Sequence, residues 1–387
     1  MSQARIYFDH NATTPLRPAA AQAMLGAQGL PGNASSIHAE GRAARAVLEA
    51  ARRQVADSVG ARAKNVVFTS GGTEALTLAL TPHWHRAGSS KPLERLLVSA
   101  TEHASVLHGH RFTAGAVTLI PCGPGGVIDL AALTDALRQG GPAMLAVQAA
   151  NNETGVLQPV AEAAALVHAA GGLVVCDAVQ AAGKIPCYIN AMGADALIVS
   201  AHKLGGPQGA GALVMAQDTV LPAAPLLRGG GQERGLRGGT ENIAAIAGFG
   251  AAIYHASMEI RQEAHRLADM CVEIAIEIGV CMPEAVFFGQ NANRLPNTLA
   301  FSVPGVRAET LLIALDLAGV AASSGSACSS GKVAASHVLA AMGVAPELAQ
   351  GAIRLSLGWS TMTEEVKDFG WRFAAVMARL RQARRAA

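Results

Sequence analysis

The chain has 387 residues, a formal net charge of +2, 51% apolar residues and 15% charged ones. That length exceeds one compact core and predicts two domains, and the composition is that of a globular rather than a disordered chain. A near-neutral balance with no long Lys/Arg block argues against nucleic acid as the main partner, and the absence of an uninterrupted apolar run of about 18 residues argues against a membrane span.

The first residues, MSQARIYFDHNATTPLRP, hold neither an apolar signal core nor a transit-peptide pattern. The cysteines are Cys122, Cys176, Cys187, Cys271, Cys281 and Cys328. None forms C-x-x-C, and the spacing suits neither a zinc site nor a disulfide framework, so the expected compartment is the reducing cytoplasm. The H-x-H pairs His83/His85 and His108/His110 lack flanking acidic or thiol partners, and no metal site is expected.

Short apolar runs alternate with helical patterns from about residue 45 to 255. In order they are Asn65–Ser70, Arg95–Ala100, Ala143–Ala150, Gly172–Asp177 and Asp195–Ser200. Each is apolar on successive positions, as strands buried on both faces must be, which predicts an α/β unit with a mainly parallel sheet. Each run is followed by a polar cluster: GGTE, TEH, NNETG, DAVQ and SAHK. In open α/β sheets the loops beyond the carboxyl ends of the strands form the ligand crevice. From about residue 256 a long helical pattern leads to NTLAFSV, another helix, a Ser/Gly-rich loop around Cys328 and AIRLSLG, the pattern of a smaller α+β domain.

The clusters suggest chemistry. Gly72 and Thr73 open a helix whose free N–H groups suit a phosphate, although a plain Gly-rich turn reads the same way. His103 can stack on a flat ring or move a proton. Asn152 offers an amide that can meet ring or carboxylate oxygens. Asp177 can face a protonated ring nitrogen or simply cap a helix, with Gln180 three positions on. Lys203, between a buried strand and four glycines, suits Schiff-base chemistry. The Gly/Arg-rich stretch ending near Thr240 can complete a phosphate site or be a flexible loop. Arg354 has the planar fork that suits a carboxylate. Cys328, in SSGSACSSGK, lacks bulky neighbours, so its thiol can swing where a packed one cannot.

Together these segments resemble the cysteine desulfurases of the NifS/IscS group, fold-type I enzymes of pyridoxal 5′-phosphate (PLP). The resemblance runs through YFDHNATTPLRP, GNASSIHAEGRAAR, FTSGGTE, TEHASV, NNETGV, DAVQAAGKIP, SAHKLGGPQGAG, LLRGGGQERGLRGGTEN, NTLAFS, SSGSACSSG and IRLSLG. It implies a large PLP-binding domain over 15–255 with a seven-stranded-type sheet, and a small domain combining 1–14 with 256–387. It implies Lys203 as the Schiff-base lysine, Asp177 at the pyridine nitrogen, Gln180 at the phenolic oxygen and His103 on the ring face. Gly72, Thr73, Ser200 and His202 would hold the phosphate, with Thr240 reaching it from the other subunit of a homodimer. Asn152 and Arg354 would bind the carboxylate of L-cysteine, and Cys328 would take the sulfur as a persulfide for an acceptor or iron–sulfur scaffold protein. Two departures stand out: Asp9-His10-Asn11 replaces Asp-Asn-Asn, and GNASS replaces Gly-Asn-Pro-Ser-Ser. Neither falls on the expected chemistry. The chain ends soon after Arg385, without the longer tail that IscS-type members use against their scaffold. Rival readings are a selenocysteine lyase or another PLP enzyme of this fold, and a non-catalytic sulfur-trafficking adaptor.

Overall fold

A computed structural model describes residues 5–86, 91–324 and 335–386. Its centre is a seven-stranded sheet: β1 (Val66–Thr69), β2 (Arg95–Ser99), β3 (Val117–Ile120), β4 (Ala143–Gln148), β5 (Leu173–Asp177), β6 (Ala196–Ser200) and β7 (Gly211–Met215). The spatial order is β1-β7-β6-β5-β4-β2-β3. All neighbours are parallel except β7, which runs antiparallel to both β1 and β6. The five apolar runs read from the sequence are β1, β2, β4, β5 and β6, each within two residues of the expected ends.

The two missed strands have local reasons. In β3, an edge strand, Thr118 and Leu119 point to solvent, so the double-sided apolar signal is absent. In β7, Gly211 begins the strand because a Cβ there would lie 2.7 Å from Gly71 Cα, and the Gly-rich approach hides the run.

Apolar side chains cover both sheet faces. One cluster includes Phe68, Val147, Cys176 and Phe249, and the other Leu76, Val98, Val175 and Ile198. Cys176, next to Asp177 in β5, is fully buried. A separate cluster joins Ile6 and Phe8 to Leu267, Ile274, Phe301, Leu355, Phe369 and Phe373. It covers the antiparallel sheet β8 (Val286–Phe287), β9 (Thr298–Ser302) and β10 (Ile353–Ser356).

The 39-residue helix Ile243–Cys281 links the two: Phe249, Ile253 and Ala256 pack into the first core, Leu267, Ile274 and Ile278 into the second. Among the described residues this is the one helix long and apolar enough to cross a membrane, and half of its most apolar stretch is buried in the protein.

Candidate active site

Parallel strands put their carboxyl ends on one edge, and there the polar clusters meet. A cavity of about 260 Å³ opens at that edge. Its lining draws Gly72 and Thr73 from the turn after β1, His103 from after β2, and Asn152 from after β4. Asp177 and Gln180 come from the end of β5, and Ser200, His202 and Lys203 from β6 and the turn after it. Arg354 arrives from β10 of the second sheet.

Lys203 ends a one-turn 3₁₀ helix, and its Nζ donates to the carbonyls of Asn11 at 2.7 Å and Ala12 at 2.8 Å. Asp177 is the last residue of β5, flanked in register by Gln148 of β4 and Ile198 of β6. Burial raises its carboxyl from 3.8 to about 6, against the opposing pull of the Val179 N–H and the charge of Lys203. The Val179 N–H donates to Asp177 Oδ1 at 2.9 Å, so the carboxylate is aimed by its own turn. No helix starts directly after Asp177, so this bond closes an Asx turn rather than an N-cap, and the carboxylate faces the cavity.

His103 caps the short helix Ala104–Leu107, its Nδ1 accepting the Ser105 N–H at 3.1 Å. Because a backbone N–H can only donate, the neutral ring carries its proton on Nε2. Burial, then the charges of Lys203 and His337, hold its pKa below the ordinary value. Burial and the nearby Lys203 likewise lower His202 to about 4, so both rings are neutral at pH 7.

The helix Gly72–Ala79 starts without a side-chain cap, leaving backbone N–H donors open. A Cβ on Gly72 would lie 2.9 Å from Val179 Cγ2, so only glycine lets the helix start sit this near the turn after β5. A second hollow shares Ala12, Gly72, Thr73, Ser200 and His202 with the cavity and opens outward past Gln208 and Gly209.

Arg354 is 4% exposed. It donates to Asp9 Oδ1 at 2.7 Å and to the Asn152 carbonyl at 2.9 Å, while its buried Nε has no partner among the described residues. An unpaired donor of this kind costs free energy until an acceptor arrives, and a bound carboxylate would supply one.

The aminotransferase class-V family model matches residues 6–369 of the chain. The chain belongs to that family. Among its relatives, an IscS-like cysteine desulfurase of Mycobacterium tuberculosis is 38% identical over 98% of both chains. A cysteine desulfurase of Cereibacter sphaeroides is 42% identical over 93% of this chain and 92% of its own. Among solved structures, a NifS-like protein from Rickettsia africae superposes with a TM-score of 0.87 at 32% identity, over 97% of this chain and 99% of its own. A structure of SspA in complex with cysteine gives a TM-score of 0.74 at 27% identity, over 91% of this chain and 98% of the other. The class-V chain thus sits in the NifS/IscS cysteine desulfurase group, and its fold is the α/β fold expected of fold-type I PLP enzymes.

Among the described residues, one expected site residue of this class-V chain, Thr240, lies apart from the cavity lining. Thr240 is exposed on its loop. Cys328 lies outside the described residues. Other groups at the site were not singled out from the sequence. Asn11 and Ala12 line the cavity across from Lys203, with Asp9 behind them on Arg354, within a segment quoted only for its resemblance. Gln148, paired in register with Asp177, lines the cavity, but it ends an apolar strand and reads as part of it. Glu102 is wholly buried, and burial, then the charge of Asp177, push its carboxyl well above the usual range. The His337 ring donates from Nε2 to the Glu102 carbonyl at 2.8 Å, a contact between residues 235 positions apart that no local pattern announces.

Proposed function

We propose that the chain is a PLP-dependent cysteine desulfurase that takes sulfur from L-cysteine, releases L-alanine and carries the sulfur away as a persulfide on Cys328. The observation that carries this reading is one cavity shared by a strand-end carboxylate, Asp177, a strand-end amine, Lys203, and an uncapped helix start at Gly72 and Thr73. That donor set fits PLP. The anionic floor suits a ring nitrogen, the amine suits an aldehyde, and the helix start with Ser200 and His202 suits a phosphate. When bound, PLP supplies an electron sink for charge that develops at the substrate's Cα.

The remaining chemistry belongs to the chain. Lys203 would anchor the cofactor, and its free amine would remove and return a proton at Nζ. Asp177 stays ionised at pH 7 and stabilises a positive ring nitrogen. Gln180 donates to the phenolic oxygen. Asn152 and the Arg354 guanidinium orient the substrate carboxylate, the unpaired Nε of Arg354 supporting this role. His103, on the cavity wall, would stack on the ring and move a proton at Nε2. Cys328, as thiolate, accepts the substrate's sulfur.

Several wider assignments accompany this reading. The outward-opening hollow beside Gly72 and Ser200, together with exposed Thr240, supports a homodimer in which the partner subunit's loop completes the phosphate site. The two separate apolar clusters joined by one helix support a large domain over 15–255 and a small domain over 1–14 and 256–387. The described cysteines are all unpaired, which supports a reducing cytoplasm. Sulfur then passes to an acceptor such as an iron–sulfur scaffold protein.

The test is incubation of the PLP-loaded protein with L-cysteine, measuring alanine and bound sulfane sulfur. Equal amounts of both are expected at first turnover. Alanine without protein-bound sulfur, or sulfur retained undiminished by Cys328→Ala, overturns the assignment.

A further inference from the structure

Lys184 follows Gln180 by four residues in DAVQAAGK, and the chain between them turns helically, with Ala182 N–H donating to Ala178 O and Lys184 N–H to Ala181 O. Side chains four apart on such a turn share a face. Gly183, at φ +75°, makes the turn feasible beside Ala256, whose Cβ would lie 3.0 Å from a Cβ at that position.

Lys184 does not line the cavity; it stands behind Gln180. Its Nζ donates to Gln180 Oε1 at 2.8 Å and to Asn11 Oδ1 at 2.9 Å. Gln180 Nε2 in turn donates to the Asn11 carbonyl at 2.9 Å, and that same carbonyl accepts from Lys203 Nζ at 2.7 Å. Both contacts dictate the orientation of the Gln180 amide. The Asn11 carbonyl can only accept, and the Lys184 N–H groups donate. A reversed amide would set oxygen against oxygen at one end and donor against donor at the other.

We infer that Lys184 is a positioning residue that locks the Gln180 amide so that it can present only an N–H to whatever acceptor binds in the cavity. The inference rests on the cofactor reading above, in which that acceptor is the phenolic oxygen of PLP. Nε2 has two N–H groups and gives one to Asn11, leaving the other as the donor for a cavity ligand. A fixed donor favours the ionised form of that oxygen over the protonated one. The role does not depend on charge, because a neutral amine donates the same two hydrogen bonds. Burial, followed by the charges of Lys203 and Arg354, does hold Lys184 well below the usual lysine range.

The test is a double-mutant cycle read by spectroscopy rather than by turnover. The visible absorbance of PLP bound to the whole protein is titrated with pH in the wild type, Lys184→Met, Gln180→Ala and the double variant. Lys184→Met is expected to move the titration midpoint upward by about one unit, the scale of a lost hydrogen bond to a charged group. It is expected to add no shift in the Gln180→Ala background. An unchanged midpoint in Lys184→Met, or equal shifts in both backgrounds, overturns the inference, the second outcome meaning that Lys184 acts as an independent charge. Wild-type protein that takes up no PLP overturns the cofactor reading itself. If Lys184→Met does not fold, Lys184→Gln, too short to reach both acceptors, replaces it in the cycle with the same expected outcomes.

Discussion

The cavity has two walls built on different principles. The sheet-edge wall is local. Asp177 is aimed by Val179 and His103 by Ser105, each two residues along the chain. The opposite wall, Asp9 to Ala12, closes a local turn from the Ala12 N–H to the Asp9 carbonyl, but its side chains are held by distant partners. Asp9 pairs with Arg354, 345 positions away. Asn11 donates from its backbone to Ser356 Oγ and from its amide to Thr298 Oγ1. Its oxygens accept from Gln180, Lys184, Lys203 and Asn297. A local wall isolates each group from its neighbours. A long-range wall ties Lys203, the Gln180 amide and the second sheet to one residue, so damage there spreads.

The largest expected effect ignores this contrast. Lys203→Ala removes the group assigned both anchor and proton carrier, and alanine release should fall at least 10²–10⁴-fold, about the contribution of one positioned acid–base group. Near-wild-type alanine release would remove Lys203 from the chemistry.

The contrast itself is tested by pairing Asn11→Ala with His103→Gln. Asn11→Ala strips several buried hydrogen bonds, each contributing about 1 kcal/mol. It should lower the apoprotein's stability by about 2–4 kcal/mol and weaken cofactor retention together. His103→Gln should cut turnover while leaving the denaturation midpoint within about 0.5 kcal/mol of wild type. If the two variants lose stability equally, the walls do not differ in the way described.

The pH dependence of apoprotein stability sharpens the same comparison, because each segment holds a group displaced in the opposite sense. Asp177, on the local wall, is raised from 3.8 to about 6 by burial. Its native state binds the extra proton, so its contribution is full below pH 3.8 and is lost as pH rises through about 6. Asp177→Asn should therefore gain on wild type by up to about 3 kcal/mol between pH 4 and pH 7. His10, beside Asn11, is 1% exposed. Burial, then the charges of Lys184 and Arg266, lower it from 6.5 to about 3. Here the unfolded chain binds the extra proton, so the contribution is present above 6.5 and lost as pH falls toward 3. His10→Asn should make the protein less acid-sensitive between pH 6.5 and 4.5. Urea midpoints at a series of pH values check both signs, and parallel curves for the wild type and either variant refute that assignment.

The smallest effect is expected outside both walls. The Arg5–Asp316 pair, with side chains 60% and 66% exposed, should contribute under about 0.5 kcal/mol, so Arg5→Ala should leave stability nearly unchanged.

Much of this protein was legible in its sequence because the relevant signals are short-range. A strand buried on both faces must be apolar at every position, and a polar cluster that follows it in a parallel sheet has only one edge to occupy. Those two facts were enough to find β1, β2, β4, β5 and β6 and to nominate Lys203, Asp177 and His103. The residues that complete the site escaped because nothing within a few positions marks them. That the Asn11 carbonyl meets Lys203, 192 positions away, that Asp9 engages Arg354, and that Lys184 stands behind Gln180 rather than in solvent depend on how the N-terminal segment and the second sheet close over the first. Hydrogen bonds between such distant residues exist only once both cores have formed, so the fold alone decides them.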